Sequence, residues 1–460
     1  MKSVEEYIQS HVDEFRERLF EVLRFRSISA DTSCGGEIAK TAQWLVDILK
    51  PLGLNTELIK TEGNPLIYAE TPRIAGAPTL LIYGHYDVQP PDPLELWTTS
   101  PFEPTVRDNN IYARGSSDDK GQLLTHVFAI ESLLKVGKPL PLQVKFLFEG
   151  EEEVGSASLS KYLHDSSSKK KLAADCIMVS DTCMFGVGQP TITYGLRGVM
   201  ALELTVRGPS RDLHSGVFGG SVTNPAIALA KMITQVLDEN GRIKVPGFYD
   251  DVLTISENEQ SQLATLPFNE DEFYSKIGLQ SGCGESGFST LERRWCRPSF
   301  DVNGLTSGYQ GEGSKTVIPS LASAKFSFRL VPNQSAEKIA AATKNFFDSI
   351  KPDGVTIELD YQHGAEAMAI DPAKSRFMKP ATEALERTFG RPPVYTREGG
   401  SIPIVAEMAN VLNAETLLIG WGQDDDNIHS PNEKFSLSAF QNGILASAHF
   451  IAATKALGSN

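Results

Sequence analysis

The chain has 460 residues, 41% of them hydrophobic and 22% charged, and carries a net charge of −15. That length exceeds one ordinary core, so two domains are expected, and the composition is that of a globular protein. The acidic excess disfavours nucleic acid and anionic membranes as partners, because fixed phosphates would repel it.

Ile8, Val12, Phe15, Leu19 and Leu23 recur at helical spacing and predict an opening amphipathic helix. Charges run through this segment, so it holds no apolar stretch of the kind a signal peptide needs. Ile38, Ala42, Leu45 and Leu49 predict a second helix, ended by "KPLG". Strands and helices then alternate: the strand "TLLIYG", the helix "GQLLTHVFAIESLLKVG", the strand "LQVKFLF" and the strand "DCIMVSD". Such continuous apolar strands between helices predict an α/β layer with a mixed, mostly parallel sheet buried on both faces. The short "HDSSSKKK" stretch reads as a loop.

From about residue 199 the pattern changes. "MALELTVRG" alternates, "NPAIALAKMITQVL" predicts a helix with Pro225 in its first turn, and "AKFSFRLVPN" alternates again. A helix near 335–349 and the strand "VTIELDY" follow, which suits an α+β unit with one solvated sheet face. After about residue 370 the buried pattern resumes with the helix "KSRFMKPATEALERTFG", the strand "ETLLIGWG" and a helix from Leu437. The economical division is a discontinuous α/β domain, residues 1–197 and 367–460, interrupted by an inserted α+β domain, residues 198–366. No run is long and apolar enough to span a membrane. The five cysteines are odd in number and form no CxxC pair, which argues against disulfides and thiolate metal sites and for a reducing cytoplasm.

Acidic residues cluster where the predicted strands end. His85 and Asp87 follow "LLIYG", Asp118 and Asp119 precede a helix, Glu151, Glu152 and Glu153 follow "FLFEG", and Asp181 closes "IMVSD". The carboxyl ends of strands form the ligand crevice of an open α/β sheet. So many like charges in one crevice require a cation among them. A single acid at such a position is more often a turn former or a helix cap, and Asp119 beside "GQLLTHV" fits a cap. A late polar loop adds His429. Imidazole and carboxylate donors without thiolate suit Zn²⁺ or Mn²⁺ in a hydrolytic site. His11, His126, His164, His363 and His449 read as packed or solvated.

With "GHYDVQP", "RGSSDDKG", "EGEEEVGS", "VSD" and "IHSPNEK" in this order, the chain resembles the M20 family of metallopeptidases. "TYGLRG", "LHSGVFGGS", "KTVIP", "RLVPN" and "TREGGSIP" resemble its cytosolic non-specific dipeptidase and carnosinase branch. The resemblance implies a zinc-exopeptidase-like catalytic domain whose insertion is a lid and dimerisation domain. It implies a pair of divalent ions, Zn²⁺ or Mn²⁺, bridged by Asp118, with His85 and Asp181 on one ion and Glu153 and His429 on the other. Glu152 matches the general base, and Glu151 is left as an extra, solvated acid. Asp87 would accept the second ring N–H of His85 and so fix its tautomer. Arg329 and Ser401 would capture a free C-terminal carboxylate, while His214 and Thr316 would reach the active site of the other subunit of a homodimer.

The expected reaction is hydrolysis of dipeptides or short peptides with a free C-terminus, by hydroxide generated between the metals. An N-acyl amino acid amidohydrolase is the alternative within the same chemistry, although Asp181 looks like the dipeptidase members. A non-catalytic binding protein on the same fold is disfavoured because every proposed ligand position and the base position are filled. A two-metal phosphoesterase fits the ligands but not the later motifs.

Overall fold

The apolar strands expected from the sequence assemble into one mixed sheet in the computed structural model, which describes residues 1–457. Its centre is parallel. Thr79–His85 lies between Gln143–Glu149 and Cys176–Val179, and Glu415–Leu418 pairs with the far side of Cys176–Val179. Leu66–Glu70 and Asn55–Ile59 extend one side antiparallel, and Thr191–Leu196 adds antiparallel to Glu415–Leu418. Nearly every residue of the three central strands is buried, as expected of strands covered on both faces.

The covering helices explain the long apolar stretches in the sequence. Lys120–Lys135 is buried from Lys120 to Leu133, so it is apolar around most of its circumference rather than along one stripe. Phe128 in its middle stacks on Phe15 of the opening helix at a centroid distance of 4.5 Å and meets the edge of Phe440 at 6.1 Å. Phe440 belongs to the closing helix, Leu437–Ala453.

The chain divides into two compact units: residues 1–194, 370–396 and 407–457 in the first, 195–369 and 397–406 in the second. The return segment Arg397–Ala406, which carries Ser401, therefore groups with the second unit rather than with the continuous 367–460 run expected from the sequence. In the second unit Ser299–Ser307, Leu321–Leu330, Gly198–Arg207 and Thr356–Ala365 form an antiparallel sheet in that order. Alternate residues of Gly198–Arg207 are buried. They pack with Leu229 and Met232 of the helix Pro225–Ile233 and with Ile339 and Phe347 of the helix Ala336–Ile350. Arg329 projects from the half-exposed face of the strand Leu321–Leu330.

The "HDSSSKKK" stretch is not a loop. Ser166–Leu172 is helical, because the Asp165 carboxylate accepts from the N–H groups of Ser167 and Ser168 at 3.0 and 2.9 Å. Among the described residues no helix is long and apolar enough to cross a membrane, and no disulfide joins any of the five cysteines.

Phe128→Ala removes a ring packed on both sides. It is expected to lower unfolding free energy by about 3–5 kcal/mol, measured by chemical denaturation.

Candidate metal centre

Parallel strands deliver their C-terminal ends to one place, and His85 and Asp181 emerge there from neighbouring strands. Gly84, just before His85, has a defined reason. A Cβ there would lie 2.8 Å from Asp119 Oδ2 and 3.0 Å from Leu123 Cδ1, so only glycine lets the strand approach the helix start.

Asp118 is the geometric centre. Its Oδ1 lies 3.0 Å from His85 Nε2 and its Oδ2 lies 2.8 Å from His429 Nε2. Asp181 Oδ2 is 3.9 Å from His85 Nε2, and Glu153 Oε2 is 3.3 Å from His429 Nε2. The ligand atoms of His85, Asp118 and Glu153 all lie within 4.8 Å of one another, a group able to hold a metal ion. The donor set, imidazole nitrogen and carboxylate oxygen without sulfur, fits Zn²⁺ or Mn²⁺. Of the candidates read from the sequence, the structure thus brings His85, Asp118, Glu153, Asp181 and His429 together.

The electrostatics express the same crowding. Burial works against a proton on His85, but its contacts with Asp118 and Asp87 hold the imidazole well above its usual range. Hydrogen bonds to Asp118 and Glu153 push His429 up to about 10. Asp118, despite its burial, is held well below the carboxylate range by hydrogen bonds from His429 and His85. Burial and the charge of Asp118 push Asp181 well above it. Burial, reinforced by the charges of Glu153, Asp118 and Asp87, raises Glu152 to about 7. Protons on imidazole and carboxylate here balance charge that a divalent cation would balance better.

Asp87 has a role wider than expected. His85 Nδ1 lies 3.2 Å from the Asp87 main-chain oxygen and 3.4 Å from its Oδ1. The carboxylate itself accepts the backbone N–H groups of Glu152 and Glu153 at 3.2 and 3.1 Å. It therefore positions the turn that carries both glutamates. Glu153 is further held by Gln89 Nε2, 2.8 Å from its Oε2. The Glu152 carboxylate accepts no hydrogen bond among the described residues.

Two expectations need correction. Glu151 is not solvated: it is buried, and its oxygens accept from the N–H groups of Asn64 and Ser158 at 2.6 and 2.9 Å. Asp119 sits at the start of its helix without capping it through its side chain. Its Oδ2 accepts from the His85 N–H at 3.2 Å instead.

Glu433 and Asp426 escaped the sequence reading. Glu433 Oε1 accepts from the N–H groups of Ser117 and Asp118 at 2.9 and 3.1 Å, and Oε2 from Gly115 N–H and the Arg114 guanidinium at 2.9 and 2.8 Å. Asp426 accepts from the Ser117 hydroxyl at 2.9 Å. The loop that carries His429 thus also clamps the loop that carries Asp118. Its backbone is left-handed at Asn427, His429 and Asn432, positions where asparagine and histidine are tolerated better than most residues. The only sequence signal was the acid in "NEK", which has no local cue to its distant partners.

The remaining candidates lie in the second unit, as two neighbouring pairs. Arg329 donates to Ser401 Oγ at 3.0 Å, and Ser401 Oγ donates to the Arg197 carbonyl at 2.6 Å. Leu213–His214 pairs with Val317–Ile318, and the Ser215 N–H donates to the Thr316 carbonyl at 3.1 Å. His214 and Thr316 are both exposed, and His214 Nδ1 accepts from the Gly216 N–H at 3.0 Å. The other histidines are structural: His126 lies between the hydroxyls of Ser180 and Ser447, and His449 bonds Glu5 and Thr388.

The model of peptidase family M20/M25/M40 matches residues 81–453. The chain belongs to that family. The Cys-Gly metallodipeptidase of Schizosaccharomyces pombe (strain 972 / ATCC 24843) is 33% identical, covering 95% of each chain. The Beta-Ala-His dipeptidase of Homo sapiens is 28% identical over 95% of this chain and 89% of its own. Among solved structures, the M20 family metallo-carboxypeptidase Sso-CP2 from Sulfolobus solfataricus superimposes with a TM-score of 0.85 at 33% identity, covering 96% of this chain and 99% of that one. The chain is accordingly an enzyme, a metallopeptidase of the dipeptidase kind.

Metal uptake must displace the His429 proton, so Zn²⁺ affinity is expected to rise with pH up to about 10, by about ten-fold per unit for each proton released. Calorimetry in buffers of different ionisation enthalpy reads that release. Glu433→Gln is expected to weaken Zn²⁺ binding by about 10- to 100-fold, read by chelator competition.

Proposed function

We propose that this enzyme hydrolyses the peptide bond of dipeptides and other short peptides whose C-terminal carboxylate is free. The observation that carries the reading is Asp118 shared between two imidazoles, with Glu152 unpaired beside it. His85 and Asp181 would hold one divalent ion and His429 and Glu153 a second, with Asp118 shared between them. Such a pair, when bound, supplies Lewis acidity to the scissile carbonyl and makes water acidic enough to lose a proton near neutrality.

The chain's own residues supply the rest. Glu152, raised to about 7, is matched to working pH as a proton carrier. It takes a proton from the attacking water and returns it to the departing amine, so the carboxylate ends the cycle as it began. Asp87 holds it in place through the backbone. The guanidinium of Arg329, positioned by the hydrogen bond it donates to Ser401, offers its remaining N–H groups to the peptide's terminal carboxylate. The printed names of the relatives, Cys-Gly, Beta-Ala-His and carboxypeptidase, support a bond next to such a carboxylate.

The second unit doubles as the surface of a homodimer in this reading. Val217, Ile227 and Leu305 on it are 70%, 56% and 63% exposed, apolar area that favours a partner. His214 and Thr316 then serve the partner's site. Cysteines outside any disulfide among the described residues agree with a cytoplasmic setting.

Offered dipeptides and N-acetyl amino acids side by side, the Zn²⁺- or Mn²⁺-loaded enzyme is expected to turn over the dipeptides. Preference for the acylated substrates would overturn the reading. Glu152→Gln is expected to reduce kcat by at least about 10³-fold with metal content unchanged by elemental analysis. Mixed dimers of His214→Ala and Glu152→Gln subunits should recover part of the activity that each parent dimer lacks. No recovery in verified mixed dimers rejects the exchange between subunits.

A further inference from the structure

The catalytic residues use only one edge of the central sheet. At the other edge, where the parallel strands begin, lies a cavity of about 650 Å³. Thr79, Gln143 and Asp175 line it from the starts of three neighbouring strands. The strand that leads from Thr79 to His85 spans about 20 Å, so this cavity is separate from the metal centre.

Its charge runs against that of the protein. Arg73, Lys145, Lys170 and Lys171 line it, against Glu70 and Asp175, in a chain whose net charge is −15. Both acids are engaged at the wall. Asp175 accepts from the Arg376 guanidinium at 2.5 Å and from the Thr79 N–H at 2.7 Å. Glu70 lies opposite Lys145 in the ladder but accepts from the Tyr68 hydroxyl at 2.9 Å and from Gln143 Nε2 at 3.0 Å. Lys171 pairs with Glu57 and covers the Tyr68 ring. Lys145, Arg73 and Lys170 are left without an ion pair among the described residues.

Lys145 is the unusual member. It is only 7% exposed, on a fully buried strand where its neighbours Val144 and Phe146 are apolar. Two main-chain carbonyls, of Lys171 and Ala173, each 2.7 Å from Nζ, fix the ammonium and leave one of its three N–H groups over. Burying a cation costs free energy unless it meets an anion. Burial holds the Lys145 ammonium below its usual range against the pull of the Glu70 and Asp175 carboxylates, and the nearby Arg73 guanidinium adds to the lowering.

We propose that this cavity binds the phosphate group of a small molecule, with Lys145 at its floor and Arg73 and Lys170 at its rim. A dianion there would pair three cations at once, and the volume is that of an ordinary small-ligand site. The site is independent of the hydrolytic reading, because no residue of the metal centre lines it.

The test titrates the metal-loaded enzyme with inorganic phosphate, adenosine monophosphate and adenosine at constant ionic strength, by calorimetry and thermal midpoint. Phosphate and the mononucleotide should bind and raise the midpoint, and adenosine should not. Tighter binding of the mononucleotide assigns the site to an organic phosphate, and equal binding to the free ion. Arg73→Ala/Lys170→Ala, changes to exposed side chains, and Lys145→Met should each weaken binding by about ten-fold or more, with dipeptide turnover unchanged. Binding unaltered in the exposed double variant would locate the anion elsewhere, at the metal centre for example, and overturn the proposal. So would a midpoint shift that chloride reproduces, or no binding at all.

Discussion

Five side chains with little tolerance for one another meet around a single carboxylate. Asp118 has an imidazole on each oxygen, at 3.0 and 2.8 Å, and further acids lie just beyond both rings. In a buried setting the repulsion among Asp118, Asp181, Glu152 and Glu153 is large, and desolvation adds to it. Positive charge must therefore reside among them, as protons or as metal. The rest of the first unit is arranged around holding that unfavourable group together.

The holding is done mostly through backbone. Asp87 grips the N–H groups of Glu152 and Glu153, Glu433 grips those of Gly115, Ser117 and Asp118, and Asp119 grips that of His85. Asp87, Asp119 and Glu433 are not candidate ligands, and each accepts main-chain donors from a segment that carries one. The fully buried Arg114–Glu433 pair is part of the same clamp, and breaking one partner of such a pair is costly. This division of labour explains why the site is richer in acids than the ligands alone require. It also explains why Glu151, read as surplus, is buried: it ties Asn64 to Ser158 beside the turn that carries Glu152 and Glu153.

Much of the architecture was legible in the pattern of apolar residues. The helix Lys120–Lys135 and the strands Thr79–His85, Gln143–Glu149 and Cys176–Val179 follow from long apolar runs, and the second sheet from strict alternation. The edge strands Asn55–Ile59 and Ser299–Ser307 escaped because they are largely exposed, so no apolar periodicity marks them. Ser166–Leu172 was missed because its helix depends on one cap at Asp165 rather than on an apolar stripe. The motifs named the candidate ligands, but nothing local distinguished Glu433 from any surface acid.

The linear chain by itself determined which side chains are available, since strand-ending motifs fix residue type, spacing and the likeness to the M20 family. Only tertiary structure decided which atoms meet. His429 and Asp118 are separated by some three hundred positions, and their 2.8 Å contact exists because a left-handed loop is pinned to the Asp118 loop by Glu433 and Asp426. The grouping of Ser401 with Arg329, and the row of cations left at the opposite edge of the sheet, have the same origin. Local propensity acts over a few residues, whereas charge pairing and burial act between whichever segments the fold brings together.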